Sequence, residues 1–224
     1  MIPLRDVIPS RTTPQITITI ILLNAVAWLF ELSLPHEELP LFLQIYGVVP
    51  ADVHPSTIIT SMFLHGGWTH ILGNMWYLWI FGDNVEDRLG HGRFIVFYLL
   101  CGAAASAGQI LVDPASTVPT IGASGAIAGV MGAYFVLYPK SRVLTLIPLI
   151  VFWDIIELPA IFLLGFWFLL QLINAGAVAA AAGTMGGGVA FAAHVAGFVA
   201  GLIGVFVFRK RQVPIWEQND GAPM

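Results

Sequence analysis

Apolar residues run through this chain in long blocks rather than in the one-faced or alternating patterns of a water-soluble fold. Six blocks approach the roughly 20 helical residues that cross a bilayer: 15–34, 57–81, 94–112, 121–138, 155–175 and 188–208. Each predicts a transmembrane helix. The stretch 143–175 is a special case, because 33 mostly apolar residues make about 50 Å of helix, too long for one crossing and too short for two with a turn. Its first part, 143–153 with Pro148 at its centre, reads as an interfacial or re-entrant piece ahead of the fifth span. The blocks differ in glycine content and polar placement, so no internal repeat is visible. The expected fold is an all-α polytopic membrane protein of six helices, with one membrane domain over residues 1–211 and a short tail over 212–224.

Charge gives that count an orientation. The nine Lys and Arg are Arg5, Arg11, Arg88, Arg93, Lys140, Arg142, Arg209, Lys210 and Arg211. With six spans they all fall in the two tails and in the second and fourth loops. The positive-inside rule makes that side cytoplasmic, with both termini on it. Composition agrees: 58% of residues are hydrophobic and 10% charged, against about 25% charged in soluble domains. A net charge of −4 provides no basic face for nucleic acid. The opening residues lead into a full-length span without a small-residue cleavage site, so no removable signal peptide is expected. The single cysteine, Cys101, excludes an internal disulfide and a CxxC site.

Ionisable groups at membrane depth are costly and mark candidate function. All thirteen Asp and Glu fall in tails, loops or span ends, Glu31, Asp154 and Glu157 being nearest to a span interior. That argues against a paired-carboxylate protease and against an acid-based ion relay. Histidine remains: His65 and His70 in the second block and His194 in the sixth, with Asn74 on the same helical face as His70. A buried histidine bonded to a backbone carbonyl explains each one alone. Depth relates them. Ser124 lies 16 residues before Lys140 and His194 lies 15 before Arg209, which puts both about 22–24 Å above the cytoplasmic face. His70, 13 residues before Asp83, comes to about 20 Å.

Gly125, Gly129 and Gly132 form a small-residue stripe beside Ser124, and Gly197 and Gly201 lie on the face of His194. Such stripes let membrane helices approach closely. Packing alone accounts for most of them; here the same approach would bring a short serine side chain within reach of an imidazole. With no acid at depth, Ser124 as nucleophile and His194 as general base would form a dyad. His70, Asn74 and the backbone N–H groups of Ala123 and Ser124 are placed to receive an oxyanion. Gly122 and Gly125 frame the serine in Gly-Ala-Ser-Gly and allow a tight backbone where the chain enters the helix. The fourth span is short, so the loop before it, with Ser116, Thr117 and Thr120, must dip inward beside a water-filled cavity open to the outside.

These residues resemble the rhomboid intramembrane serine proteases over nearly the whole chain. "HGGWTHILGN" is similar to the family's second-span pattern, "GASG" to its nucleophile motif, "AHVAGFVAG" to its sixth-span pattern, and "NVEDRLG", with Glu86 and Arg88, to its loop after the second span. The resemblance implies Ser124 as nucleophile, His194 as base, His70 and Asn74 as oxyanion donors, and His65 as a residue that shapes the cavity. It also implies single-pass or polytopic membrane proteins as substrates, entered from the lipid bilayer, and no cofactor or metal. Two departures stand out. The family's Trp-Arg pair has no counterpart in the first loop, and an aromatic four residues after the serine is Ala128 here. His194 is therefore either oriented by another group or looser when the site is empty. The aromatic fifth span, "IFLLGFWFLL", with Trp76 and Trp79, fits a substrate gate and equally a lipid-facing surface. Two other classes compete: an inactive rhomboid-like protein that holds membrane clients, and a metal site or channel built on His65, His70 and His194. Neither the oligomeric state nor the substrate is legible in the sequence.

Overall fold

The computed structural model describes residues 1–148, 153–180 and 189–210. In chain order these form β1 (Ile2–Asp6), α1 (Gln15–Ser33), α2 (Leu39–Tyr46), α3 (Thr57–Thr60) running into a 3-10 turn (Ser61–Phe63), α4 (Trp68–Leu89) and α5 (His91–Val112). They continue with α6 (Ser124–Leu137), β2 (Arg142–Pro148), β3 (Trp153–Pro159), α7 (Ala160–Ala180) and α8 (Phe191–Phe208). Helices α1, α5, α7 and α8 are long and apolar enough to cross a membrane. Helix α4 is equally long but carries Asp83, Glu86, Asp87 and Arg88 in its last turns, and α6 has only 14 residues.

Helix α6 is the centre of the bundle. Every residue from Gly125 to Tyr134 is buried, with α4, α5, α7 and α8 packed around it. Glycine weakens an isolated helix by about 1 kcal/mol per residue. That weakness is tolerated here because a helix surrounded by apolar neighbours has no water to exchange its backbone hydrogen bonds with.

Two expectations need correction. Residues 142–148 and 153–159 are strand, so the fifth apolar block does not begin as helix at 155. Strands β2 and β3 form an antiparallel hairpin, Arg142 opposite Pro159 and Pro148 opposite Trp153, and β1 joins β2 to complete a three-stranded sheet; residues 149–152 lie outside the described ones. Val143 and Thr145 are buried while their neighbours are less so, a period of two that the uniformly apolar run concealed. The β-branched Val143, Thr145, Ile147, Ile155 and Ile156 favour strand, and Pro148 and Pro159 sit at strand ends where a missing N–H does least harm. Helix α7 accordingly begins at Ala160, not 155, and the fold is not purely helical. His65 also moves. It stands in an extended turn before α4 rather than within a helix, because Gly66 and Gly67 interrupt the second apolar block.

Charged residues collect at the sheet end. The buried Glu86 carboxylate accepts the N–H groups of Ile16 (2.9 Å) and Thr17 (2.8 Å), capping the first turn of α1. Asp87 accepts the N–H groups of Arg11 and Thr12, at 2.6 and 3.0 Å. The Lys210 N–H reaches the Arg88 carbonyl at 3.0 Å, and Arg142 pairs with Glu157 at 2.9 Å. Eight of the nine cations thus belong to segments joined at one end, while Arg211 and the expected tail 212–224 lie outside the described residues.

The strap made by β1 carries a titratable contact. Tyr134 Oη donates to Asp6 Oδ2 at 2.6 Å. Burial pushes the Asp6 carboxyl up from 3.8 to about 6, against the Tyr134 hydrogen bond, which lowers it, while nearby Asp83 raises it further. A carboxyl with a raised folded pKa binds its proton more tightly when folded, so its contribution is most favourable at acid pH and is lost as pH rises through about 6. Asp6→Asn keeps an acceptor for Tyr134 without the charge. It is expected to stabilise the protein by roughly 1 kcal/mol at pH 8, a full shift discounted for partial exposure, and to change little at pH 4. Thermal unfolding in detergent at the two pH values checks this; an equal effect at both would remove Asp6 titration as the cause.

Candidate active site

The chain reaches Ser124 through a loop held from two sides. Thr120 and Val48 exchange backbone hydrogen bonds at 2.7 and 3.0 Å, and the Gly122 N–H donates to the Ser61 carbonyl at 2.8 Å. The Thr120–Val48 bonds also tie the first loop to the third. Gly122 has φ +119°, a backbone conformation that L side chains rarely adopt. A Cβ there would also stand 2.6 Å from His70 Nε2. Glycine is thus required twice over, by the turn and by the imidazole beside it. The next residue, Ala123, is buried at the cap of α6, and Ser124 is the first helical residue. The N–H groups of that first turn have no acceptor within the helix.

Two glycine stripes bring the second partner to the serine. A Cβ on Gly197 would overlap the Gly125 carbonyl, and one on Gly201 the Gly129 carbonyl. Helices α6 and α8 therefore meet backbone to backbone and in register. One turn before Gly197, His194 Nε2 lies 2.8 Å from Ser124 Oγ. The other ring nitrogen, Nδ1, lies 2.8 Å from Gln171 Oε1 on α7. Since an amide oxygen only accepts, Nδ1 carries the hydrogen and Nε2 is left with a lone pair toward the serine hydroxyl. The Trp167 ring, also on α7, flanks the imidazole at 5.9 Å between centroids and 35° between planes.

The remaining predicted residues form a second cluster on the Gly122 side. Asn74 Nδ2 lies 3.0 Å from His65 Nε2, and the His65 and His70 rings meet edge to face at 5.0 Å. His70 Nδ1 accepts the Gly66 N–H at 3.3 Å, so its Nε2 carries hydrogen and faces Gly122. Glu31, 2% exposed, accepts the His65 backbone N–H with both oxygens at 3.2 Å. Between the first turn of α6 and its neighbours lies a small cavity lined by Ser61, Ser106, Thr120, Gly122, Ser124 and Ala193. His194 faces Ser124 and Gln171 rather than the other two histidines, and among the described residues no three His, Cys, Asp or Glu side chains are grouped to hold a metal ion.

Gln171 and Trp167 were not singled out by sequence reasoning as partners of His194. A signal existed. Gln171 interrupts "FWFLLQLIN", and an uncharged amide within an apolar span needs a partner as a charge does. An inventory confined to ionisable side chains passes over it.

A serine–imidazole pair joins two apolar helices in a chain with several helices long and apolar enough to cross a bilayer, which makes this an integral multi-pass membrane protein. Residues 53–211 match the Rhomboid domain, and the chain belongs to the rhomboid family. It is similar to "Putative rhomboid protease YdcA" of Bacillus subtilis, 35% identical over 127 residues, covering 55% of this chain and 62% of that protein. "Rhomboid-like protein 11, chloroplastic" of Arabidopsis thaliana is 28% identical over 198 residues, 84% of this chain and 66% of its own. "Rhomboid protease GluP" of Bacillus subtilis is 36% identical over 85 residues, 38% of this chain and 16% of its own. The chain thus spans less than two thirds of the length of each of these relatives.

Proposed function

We propose that the chain is an intramembrane serine endopeptidase that cleaves transmembrane segments of other membrane proteins. The observation that carries this reading is the 2.8 Å contact between His194 Nε2 and Ser124 Oγ, with Nε2 in the accepting state. In this reading Ser124 Oγ attacks the peptide carbonyl carbon and its proton passes to Nε2. The oxyanion is received by His70 Nε2–H, the Asn74 amide and the N–H groups of Ala123 and Ser124. His194 then gives its proton to the departing amine, which breaks the C–N bond and leaves an acyl-serine. Water, deprotonated by His194, attacks that ester and restores the hydroxyl. His65, Gly122, Gly125, Gly197 and Gly201 shape the cavity around these atoms.

Topology in this proposal follows the six apolar blocks. Helices α1, α4, α5, α6, α7 and α8 cross the bilayer, residues 1–211 forming the membrane domain and 212–224 a tail, with the cation-bearing end and both termini cytoplasmic. A 14-residue α6 is about 21 Å long, short of the roughly 30 Å hydrocarbon core. Its start at Ser124 then lies below the outer face, next to a cavity with hydroxyl-bearing walls. That position supports access for water to a site whose other substrate arrives through lipid.

The test is covalent and catalytic. The purified protein in detergent should cleave a fluorescent reporter transmembrane segment, and a fluorophosphonate should attach to Ser124 in the parent but not in His194→Ala. Absence of both cleavage and labelling in folded protein would favour a client-binding rhomboid-like protein instead.

A further inference from the structure

We infer that Gln171 is a positioning residue for His194, holding the imidazole in the tautomer and orientation that turn Nε2 toward Ser124. The inference rests on the hydrolytic reading above and deepens it. A serine–histidine dyad has no carboxylate to fix the ring, and the ring has two tautomers, only one of which leaves Nε2 able to accept the serine proton. Gln171 Oε1, 2.8 Å from Nδ1, selects that tautomer. Its own environment supports a dedicated contact: Gln171 is 9% exposed on a helix that is apolar but for it and Asn174. A buried amide without a partner in such surroundings would be destabilising.

Position also matters. Trp167 lies one helical turn before Gln171, so both meet His194 from the same face of α7. Together they supply what Ala128 does not: Trp167 covers the imidazole, and Gln171 sets its rotation. Helix α7 is the least buried of the long apolar helices, yet it carries both groups. The groups facing the imidazole are Ser124 from α6, and Gln171 and Trp167 from α7. The other histidines of the site, His65 and His70, belong to the cluster on the Gly122 side. Among the described residues no carboxylate is hydrogen-bonded to the ring.

The experiment compares Gln171→Leu with Gln171→Glu in the full chain, measuring kcat, KM and the pH dependence of kcat/KM on the reporter segment, and the fluorophosphonate labelling rate. Leucine removes the acceptor. It should lower kcat and labelling together by on the order of 10–100-fold, less than the ~10⁴ lost when a charged orienting group is altered, with KM within about twofold. Glutamate keeps an acceptor and adds charge. It should restore much of the rate and move the acid limb of the pH profile upward by on the order of one unit, because a carboxylate against Nδ1–H stabilises the protonated ring. A merely structural amide predicts the opposite order, with a buried charge more damaging than leucine. Unchanged kcat and pH profile in the leucine variant, or equal loss in both with lowered unfolding temperature, would overturn the inference. The hydrolytic reading would stand in either case as long as Ser124→Ala abolishes cleavage. If Ser124→Ala cleaves normally, that reading itself fails.

Discussion

Ser124→Ala and His194→Ala are each expected to lower turnover of a transmembrane reporter by on the order of 10⁴-fold or more, and the double variant is expected to lower it no further. The reason is that the two side chains perform one act. The hydroxyl is a poor nucleophile until Nε2 takes its proton, and Nε2, 2.8 Å away, has no other role in the first step. Once either is gone, what remains comes from the oxyanion donors around Gly122, which neither substitution touches. Additive losses would mean that the serine and the imidazole act independently, and the proposed dyad would have to be abandoned. Both positions sit at helix starts, and neither replacement adds volume, so circular dichroism should show the parent's helicity in all three variants.

Gly201→Val is expected to be the most damaging substitution away from the reacting atoms. A Cβ at Gly201 would overlap the carbonyl oxygen of Gly129 and crowd its carbonyl carbon and Cα, and backbone cannot rotate aside as a side chain can. Helices α6 and α8 must then separate, at a cost of upwards of about 3 kcal/mol. Separation also draws Nε2 away from Oγ, since His194 and Gly201 share a helix face and Ser124 is rigidly joined to Gly129. Stability and activity should therefore fall together: a lower unfolding temperature in detergent and loss of fluorophosphonate labelling at temperatures where the protein is still folded. Gly176→Ala on α7, where an added Cβ meets nothing within 4 Å, is the matched control and should leave both unchanged. A Gly201→Val variant that labels and cleaves at the parent's rate would show that close helix contact is not what joins the pair.

Legibility varied with the range of the interactions. The positions of α1, α5 and α8 were readable because a helix in lipid must satisfy its own backbone, which makes an apolar run of about 20 residues a nearly complete statement of structure. The region 142–159 was not readable in this way. Its strands depend on β1, more than 130 residues away, and an apolar run has the same composition whether it is destined for helix or strand. The turn that removes His65 from α4 was partly visible in Gly66 and Gly67, but the Glu31 carboxylate that receives the His65 N–H comes from another helix.

The site divides along the same line. That Ser124 and His194 are expected at similar depth, each beside a glycine stripe, follows from linear spacing, because helix rise is constant at 1.5 Å per residue. Which helix faces enclose the imidazole is not, since rotation and tilt are set by packing between segments. By itself the sequence determined a membrane-embedded chain, its long apolar spans, the glycines that permit contact and the residue types available for chemistry. Only the tertiary structure decided that Gln171 and Trp167 of α7 close around His194, that Gly122 makes room for His70, and that the segment before α7 is a hairpin. Each of those depends on two segments distant in sequence meeting at a particular angle, and no local pattern records an angle.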